Sequence, residues 1–176
     1  AIKAFSVQEE AVNSLNAALR ANGADVAALS PHYQRTAAEI QNLTGAADEN
    51  TIKMMAQLTN LGVMPGQLDA ATRGTIGLSK ALGLNNETSA RATALALNGE
   101  FAMLQRYVPA LRTAKTEAEK MAIVNDLMAS GFQQAEESLS ELNGRLGDAM
   151  EALGGVVTEG GGLTNVLALL SNKVKS

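Results

Sequence analysis

TEAEKMAIVNDLMASGFQQAEESLSELNGRLGDAMEAL, residues Thr116–Leu153, is the stretch whose periodicity decides the fold. Positions 118, 121, 125, 128, 132, 135, 139, 142, 146, 149 and 153 advance in steps of three and four, and all but Asn125 are apolar. That spacing keeps the side chains on one face of an α-helix, as in a coiled-coil seam. It predicts one long helix over residues 114–154, a rod on the order of 55 Å at roughly 1.5 Å per residue. Thr116 followed by Glu119 is a capping-box pattern that starts it.

The seam residues are Met121, Asn125, Met128, Phe132, Leu139, Leu142, Leu146 and Leu153. Asn125 has two readings: a polar residue that fixes register within the seam, or a water-facing residue in a frayed first turn. Gly131, Gly144 and Gly147 fall off the seam, where each costs about 1 kcal/mol relative to Ala. Such a rod needs a partner along its length, either the helices that precede it or a second copy.

Working outward, residues 1–113 read as a bundle of short helices with Gly, Asn or Pro as punctuation. A first helix from Ile2 or Ser6 to Ala21 puts Phe5, Val12, Leu15 and Leu19 on one face and stops at Asn22-Gly23. After a short helical turn over Asp25–Leu29, Ser30-Pro31 reads as the N-cap and first-turn proline of a second helix carrying Ile40 and Leu43 and stopping at Thr44-Gly45. Asp48 caps a helix with Ile52, Met55 and Leu58 that ends at Leu61-Gly62-Val63; Met64-Pro65-Gly66 is a turn. A helix over Gln67–Leu82 ends in the same manner at Leu82-Gly83-Leu84, and Asn85-Asn86 caps the next, over Glu87–Asn98. Phe101–Tyr107 is a short helix before Pro109. Downstream of the rod, residues 155–162 read as a Gly-rich joint and residues 163–176 as a last helix. The fold class is therefore all-α: a small bundle, a long coiled-coil-like helix and a C-terminal helix.

Composition limits the function. Of 176 residues, 46% are hydrophobic but only 3% aromatic, so the core is expected to pack on small side chains without aromatic anchors. The absence of cysteine removes disulfides, thiolate metal sites and thiol nucleophiles. A net charge of −4 with both signs interspersed disfavours nucleic acid. Uncharged runs such as Leu61–Leu68 are too short for a membrane span. The first residue is Ala rather than Met, which reads as a fragment or a processed product.

No set of residues converges on catalysis, a metal or a cofactor. The single histidine, His32, has no second ligand at a recurrent spacing, and reads as a surface or capping residue. Glu117 with Glu119, and Glu136 with Glu137, lie on one amphipathic helix rather than across a cleft, so they read as a solvated face. Gly74–Lys80 lacks the Gly-Lys-Ser/Thr ending of a phosphate loop, and Gly160-Gly161-Gly162 follows no strand; both read as caps or joints. Arg106, Tyr107 and Arg112 around Pro109 form a compact polar and aromatic constellation. It is either a partner-binding corner or a junction plugged by Tyr107 with its arginines in water.

Leu97-Asn98-Gly99-Glu100 running to Arg106-Tyr107 and on to Arg112, then Thr116-Glu117-Ala118-Glu119-Lys120-Met121 and Gly144-Arg145-Leu146, resembles a segment of tail tape-measure proteins of long-tailed bacteriophages and prophages. The helices ending in Leu-Gly over Asp48–Gly62 and Leu68–Leu84 fit the same family, and the similarity covers roughly Ser30–Gly155. The resemblance implies a helical protein of the virion tail, made in the bacterial host cytoplasm. Such a protein packs inside the tail tube, sets tail length during assembly and leaves ahead of DNA at ejection. Tail-tube, tail-chaperone and tail-tip proteins are the partners it implies. Members of that family are usually far longer, so this chain corresponds to one compact module of the ruler. The alternative from composition alone is a non-enzymatic helical adaptor or secreted effector module.

Overall fold

The computed structural model describes residues 2–157 of the backbone and the side chains of residues 3–151. Among the described residues it is built of helices without a strand: α1 (Ile2–Ala21), α2 (Val26–Thr44), α3 (Asp48–Asn60), α4 (Pro65–Leu82), α5 (Asn86–Leu97), a 3-10 turn (Leu104–Arg106), α6 (Ala110–Thr113) and α7 (Glu117–Val157). Compact contacts divide the chain into two units, Ala1–Glu137 and Ser138–Ser176. The bundle expected to close at residue 113 thus extends to Glu137 and includes the first part of the long helix.

Within the first unit α3 lies against α1, α2, α4 and α5. Ala11, Leu15 and Leu19 of α1, Tyr33 and Ile40 of α2, and Ile52, Met55 and Leu58 of α3 close one cluster. A second gathers Leu78, Ala92, Phe101, Leu104, Leu111 and Val124. Each fully buried Leu or Ile stabilises the fold by about 1.5–3 kcal/mol relative to exposure. The alanines between them, buried on α1, α2 and α5, let the helices approach closely. The expectation of a core without aromatic anchors is corrected: Tyr33 and Phe101 are both buried. Threonine supplies polar core positions, several with the hydroxyl bonded back within the helix, as Thr59 donates to the Met55 carbonyl at 2.8 Å and Thr72 to that of Leu68 at 2.7 Å.

The helix ends follow the residues read as punctuation. Gly62 and Gly83 take positive φ, 91° and 66°, a region that costs any residue with a Cβ. Val63 N–H returns to the Leu58 carbonyl at 3.0 Å and Leu84 N–H to that of Ser79 at 3.2 Å, and Val63 is buried against the turn it closes. Asn85 caps α5 by accepting from Thr88 N–H at 2.8 Å.

Several starts differ from expectation. Asp25, not Ser30, caps α2, accepting from Ala28 N–H at 3.2 Å, and Pro31 sits inside that helix. The proline removes one helical donor, yet burial of Ser30, Tyr33, Thr36, Ala37 and Ile40 carries the helix through it. Pro65 is the first residue of α4 rather than part of a turn, the position where its missing N–H has no partner to lose. Asp48 opens α3 without capping it; its carboxylate accepts from Glu49 N–H at 2.9 Å and from the Gln8 amide at 3.0 Å. Phe5 is 71% exposed and does not join Leu15 and Leu19 in the core. Gly74 and Gly77 are neither caps nor joints but interior residues of α4.

In the second unit, helix continues through Gly154 and Gly155 to Val157, so the joint expected from residue 155 begins as helix. The rest of that joint and the expected helix at 163–176 lie outside the described residues.

Candidate functional site

The long helix begins as its capping box dictates. Thr116 Oγ1 accepts from Glu119 N–H at 3.1 Å, and the Glu119 carboxylate accepts in return from Lys115 N–H at 2.8 Å and Thr116 N–H at 3.4 Å. Within the first unit the face of α7 that is covered runs through Met121, Val124, Met128, Gly131, Phe132 and Ala135. This is rotated from the expected seam: Ala118 and Asn125 are exposed, whereas Val124 and Gly131, which the seam omitted, are buried.

The reason is a close helix crossing. A Cβ added to Gly131 would fall well inside 3.0 Å of the Gly77 carbonyl oxygen, and one added to Gly77 would strike the Met128 carbonyl oxygen equally hard. The hydrogens that stand in those places aim Cα–H groups at carbonyls, contacts that contribute perhaps 0.5–1 kcal/mol each. Gly74 makes room for the Met128 side chain, whose sulfur lies where a Cβ would go. Gly131, expected to weaken the helix as an off-seam residue, is thus the point of closest approach to α4.

Beside the crossing is an open groove of about 390 Å³, with Arg73, Asn125, Met128 and Phe132 in its wall. Arg73 places its guanidinium 5.6 Å from the Phe132 ring centroid and pairs with Glu39 at 3.2 Å. The cation–π contact contributes about 0.5–1 kcal/mol at such an exposed site. Of the two readings of Asn125, the structure gives the exposed one: it faces the groove mouth rather than fixing register in a buried seam.

In the second unit Leu142 and Leu146 are 57% exposed and Met150 68%. Leu139, at its start, is half-buried, and the side chain of Leu153 lies outside the described residues. Glu141 and Arg145 form an ion pair one turn apart. This part of the helix therefore carries a bare row of large apolar side chains.

The corner around Pro109 is built from the 3-10 turn and α6. Leu104, Val108 and Leu111 plug it, while Tyr107 is 45% exposed and Arg106 and Arg112 face solvent. Tyr107 is not the plug. Arg112 Nε donates to the Gln105 carbonyl at 2.9 Å, which ties α6 to the 3-10 turn.

His32 lies in the second turn of α2, with Nε2 2.7 Å from Asp69 Oδ2 of α4. The neighbouring Tyr33 donates its hydroxyl to the Pro65 carbonyl at 2.8 Å. Burial, and secondarily the Asp69 charge, push the Tyr33 phenol above its ordinary value of 10.0. These contacts tie α2 to the start of α4. Among the described residues no group of three or more His, Cys, Asp or Glu side chains is placed to hold a metal ion, and no helix is long and apolar enough to cross a membrane. Glu119 is engaged in the cap of α7, the Glu117 carboxylate lies against Gly99, and Glu137 accepts from the Gln133 amide at 2.9 Å.

Comparison with family models, with curated proteins and with solved structures finds no match for this chain.

Proposed function

We propose that this chain is a structural module of a phage tail tape-measure protein, acting by helix packing and not by catalysis. The observation that carries the packing role is the bare row Leu142, Leu146 and Met150. Three large apolar side chains on one helix, each more than half in water, mark a contact surface rather than a solvated face. The resemblance over Leu97–Met121 and Gly144–Leu146 supplies the setting: packing inside the tail tube during assembly and release at DNA ejection. Tail-tube, tail-chaperone or tail-tip proteins are the corresponding partners. Within the first unit α7 is held by its cap and by the glycine crossing. The exposed Tyr107, with Arg106 and Arg112 also in solvent, offers that unit a point of contact.

Mass spectrometry of purified tail particles tests the setting. Peptides of this chain belong in intact tails and not in emptied particles after ejection. Tails without them would remove the tail reading. The non-catalytic role is tested by a peptidoglycan hydrolysis assay on the parent and on Glu100→Gln and Glu117→Gln. No hydrolysis is expected from the parent, and activity abolished by either substitution would establish an enzyme.

A further inference from the structure

Part of the face of α7 that docks on the bundle recurs. Met121, Val124, Met128, Gly131 and Phe132 are presented to the first unit, with Ile123 and Leu127 beside them. About five helical turns later, at the same internal spacing, stand Leu139, Leu142, Leu146, Ala149 and Met150. Large residues recur at these large positions, and a small one, Ala149, takes the place of Gly131; Ile123 and Leu127 are not repeated, since Glu141 and Arg145 stand in their places, so the second face is the narrower. Even the flanking Asn125 has its counterpart in Asn143. The first set is covered; of the second, Leu142, Leu146, Ala149 and Met150 are exposed.

What the first set meets is on view. It is a ridge of small residues on α4: Gly74, which receives Met128, Gly77, which abuts Met128 and Gly131, and Ala81, whose Cβ borders Gly131. Leu78 of the same helix shares a cluster with Val124. Steric complementarity follows from the spacing, since large knobs spaced by three and four need small residues at matching intervals opposite them.

We infer that the Leu139–Met150 face is a second docking site, and that it takes a partner helix carrying a glycine- or alanine-lined ridge spaced as Gly74, Gly77 and Ala81 are in α4. Charge favours the same kind of helix. Residues 138–151 hold Glu141, Asp148 and Glu151 against Arg145, a net negative stretch, whereas α4 carries Arg73 and Lys80 against Asp69, a net positive one. Ala149 in place of Gly131 sets this second crossing slightly wider than the first. The inference rests on the reading of α7 as a packing helix and is independent of the tail setting.

The probe is a fluorescent, helix-stapled peptide of residues 65–84, PGQLDAATRGTIGLSKALGL, titrated against the full chain by anisotropy. Saturable binding is expected, weakened at least about tenfold by Leu142→Asp or Leu146→Asp in the protein and by Gly77→Leu in the peptide. Circular dichroism verifies that the protein variants keep a folded first unit, and Leu142→Ala provides a milder substitution that should weaken binding in the same direction. Absence of saturation at the solubility limit overturns the proposal. So does binding indifferent to the Leu142 and Leu146 substitutions, which would place the peptide on the first docking face instead. Either failure leaves the tail reading intact, because the particle analysis tests that reading separately.

Discussion

Changing Gly131 to alanine should destabilise the protein, although the same change elsewhere in α7 should not. In an isolated helix Gly→Ala is favourable by about 1 kcal/mol, because alanine loses less backbone freedom on folding. At Gly131 the new methyl would sit well inside 3.0 Å of the Gly77 carbonyl oxygen and 3.0 Å from the Ala81 Cβ. Backbone cannot swing away as a flexible side chain can, so α7 must withdraw by on the order of 1 Å, loosening Val124 and Met128 against the second cluster. Overpacking of this kind costs about 1–3 kcal/mol, and the lost Cα–H contacts add perhaps 0.5–1 kcal/mol each. After the helix-propensity gain, net destabilisation is about 1–3 kcal/mol, which lowers Tm by roughly 3–10 °C for a unit of this size. Gly144 is the control: nothing lies within 4 Å of a Cβ there, so Gly144→Ala should strengthen the helix signal and leave the main transition in place or higher. Thermal and urea unfolding followed by circular dichroism measure both. If the two variants shift stability in the same direction, the glycine crossing is not what seats α7.

Tyr33→Phe should cost about 1 kcal/mol through loss of the bond to the Pro65 carbonyl. It should also flatten the alkaline limb of the stability profile. With the folded phenol raised above 10.0, the native state holds its proton longer than the unfolded chain, so this stabilisation is intact below pH 10 and declines as pH climbs beyond it; parallel Tm profiles for parent and variant from pH 8 to 11 would contradict this. Thr116→Ala should cost about 1 kcal/mol and speed hydrogen exchange at the first amides of α7, whereas unchanged exchange there would mean the cap does not hold the helix start. Leu78→Ala, at a fully buried position shared by the α4 and α7 packing, should cost about 2–5 kcal/mol in urea unfolding, and a loss below 1 kcal/mol would mean the second cluster is loosely packed.

Signals carried by local chemistry were legible in the sequence. The glycine stops at Gly62 and Gly83, the Asn85 cap and the Thr116–Glu119 box each depend on a few adjacent residues, and all appear where those residues stand. The apolar period of α7 likewise gave the long helix. Its docking face is rotated by part of a turn from the Leu and Met seam, since Ile123, Val124 and Leu127 form a neighbouring apolar stripe and Gly131 carries no hydrophobic signal. The crossing depends on what Gly131 lacks, and only the position of Gly77 opposite it reveals that. Pro31 is a stronger punctuation signal than Asp25, and burial of Tyr33 and Ile40 overrides it, so the helix starts at the Asp25 cap and runs through the proline. His32 with Asp69 joins two helices far apart in sequence and has no local signature at all.

The most direct test of the packing role is the double variant Leu142→Asp, Leu146→Asp, assayed both as isolated protein and in tail assembly in the host. Two exposed leucines contribute little to the first unit, so its melting transition should match the parent while intact tails are lost or fall sharply in yield. Normal tails assembled from the doubly charged variant would contradict the account.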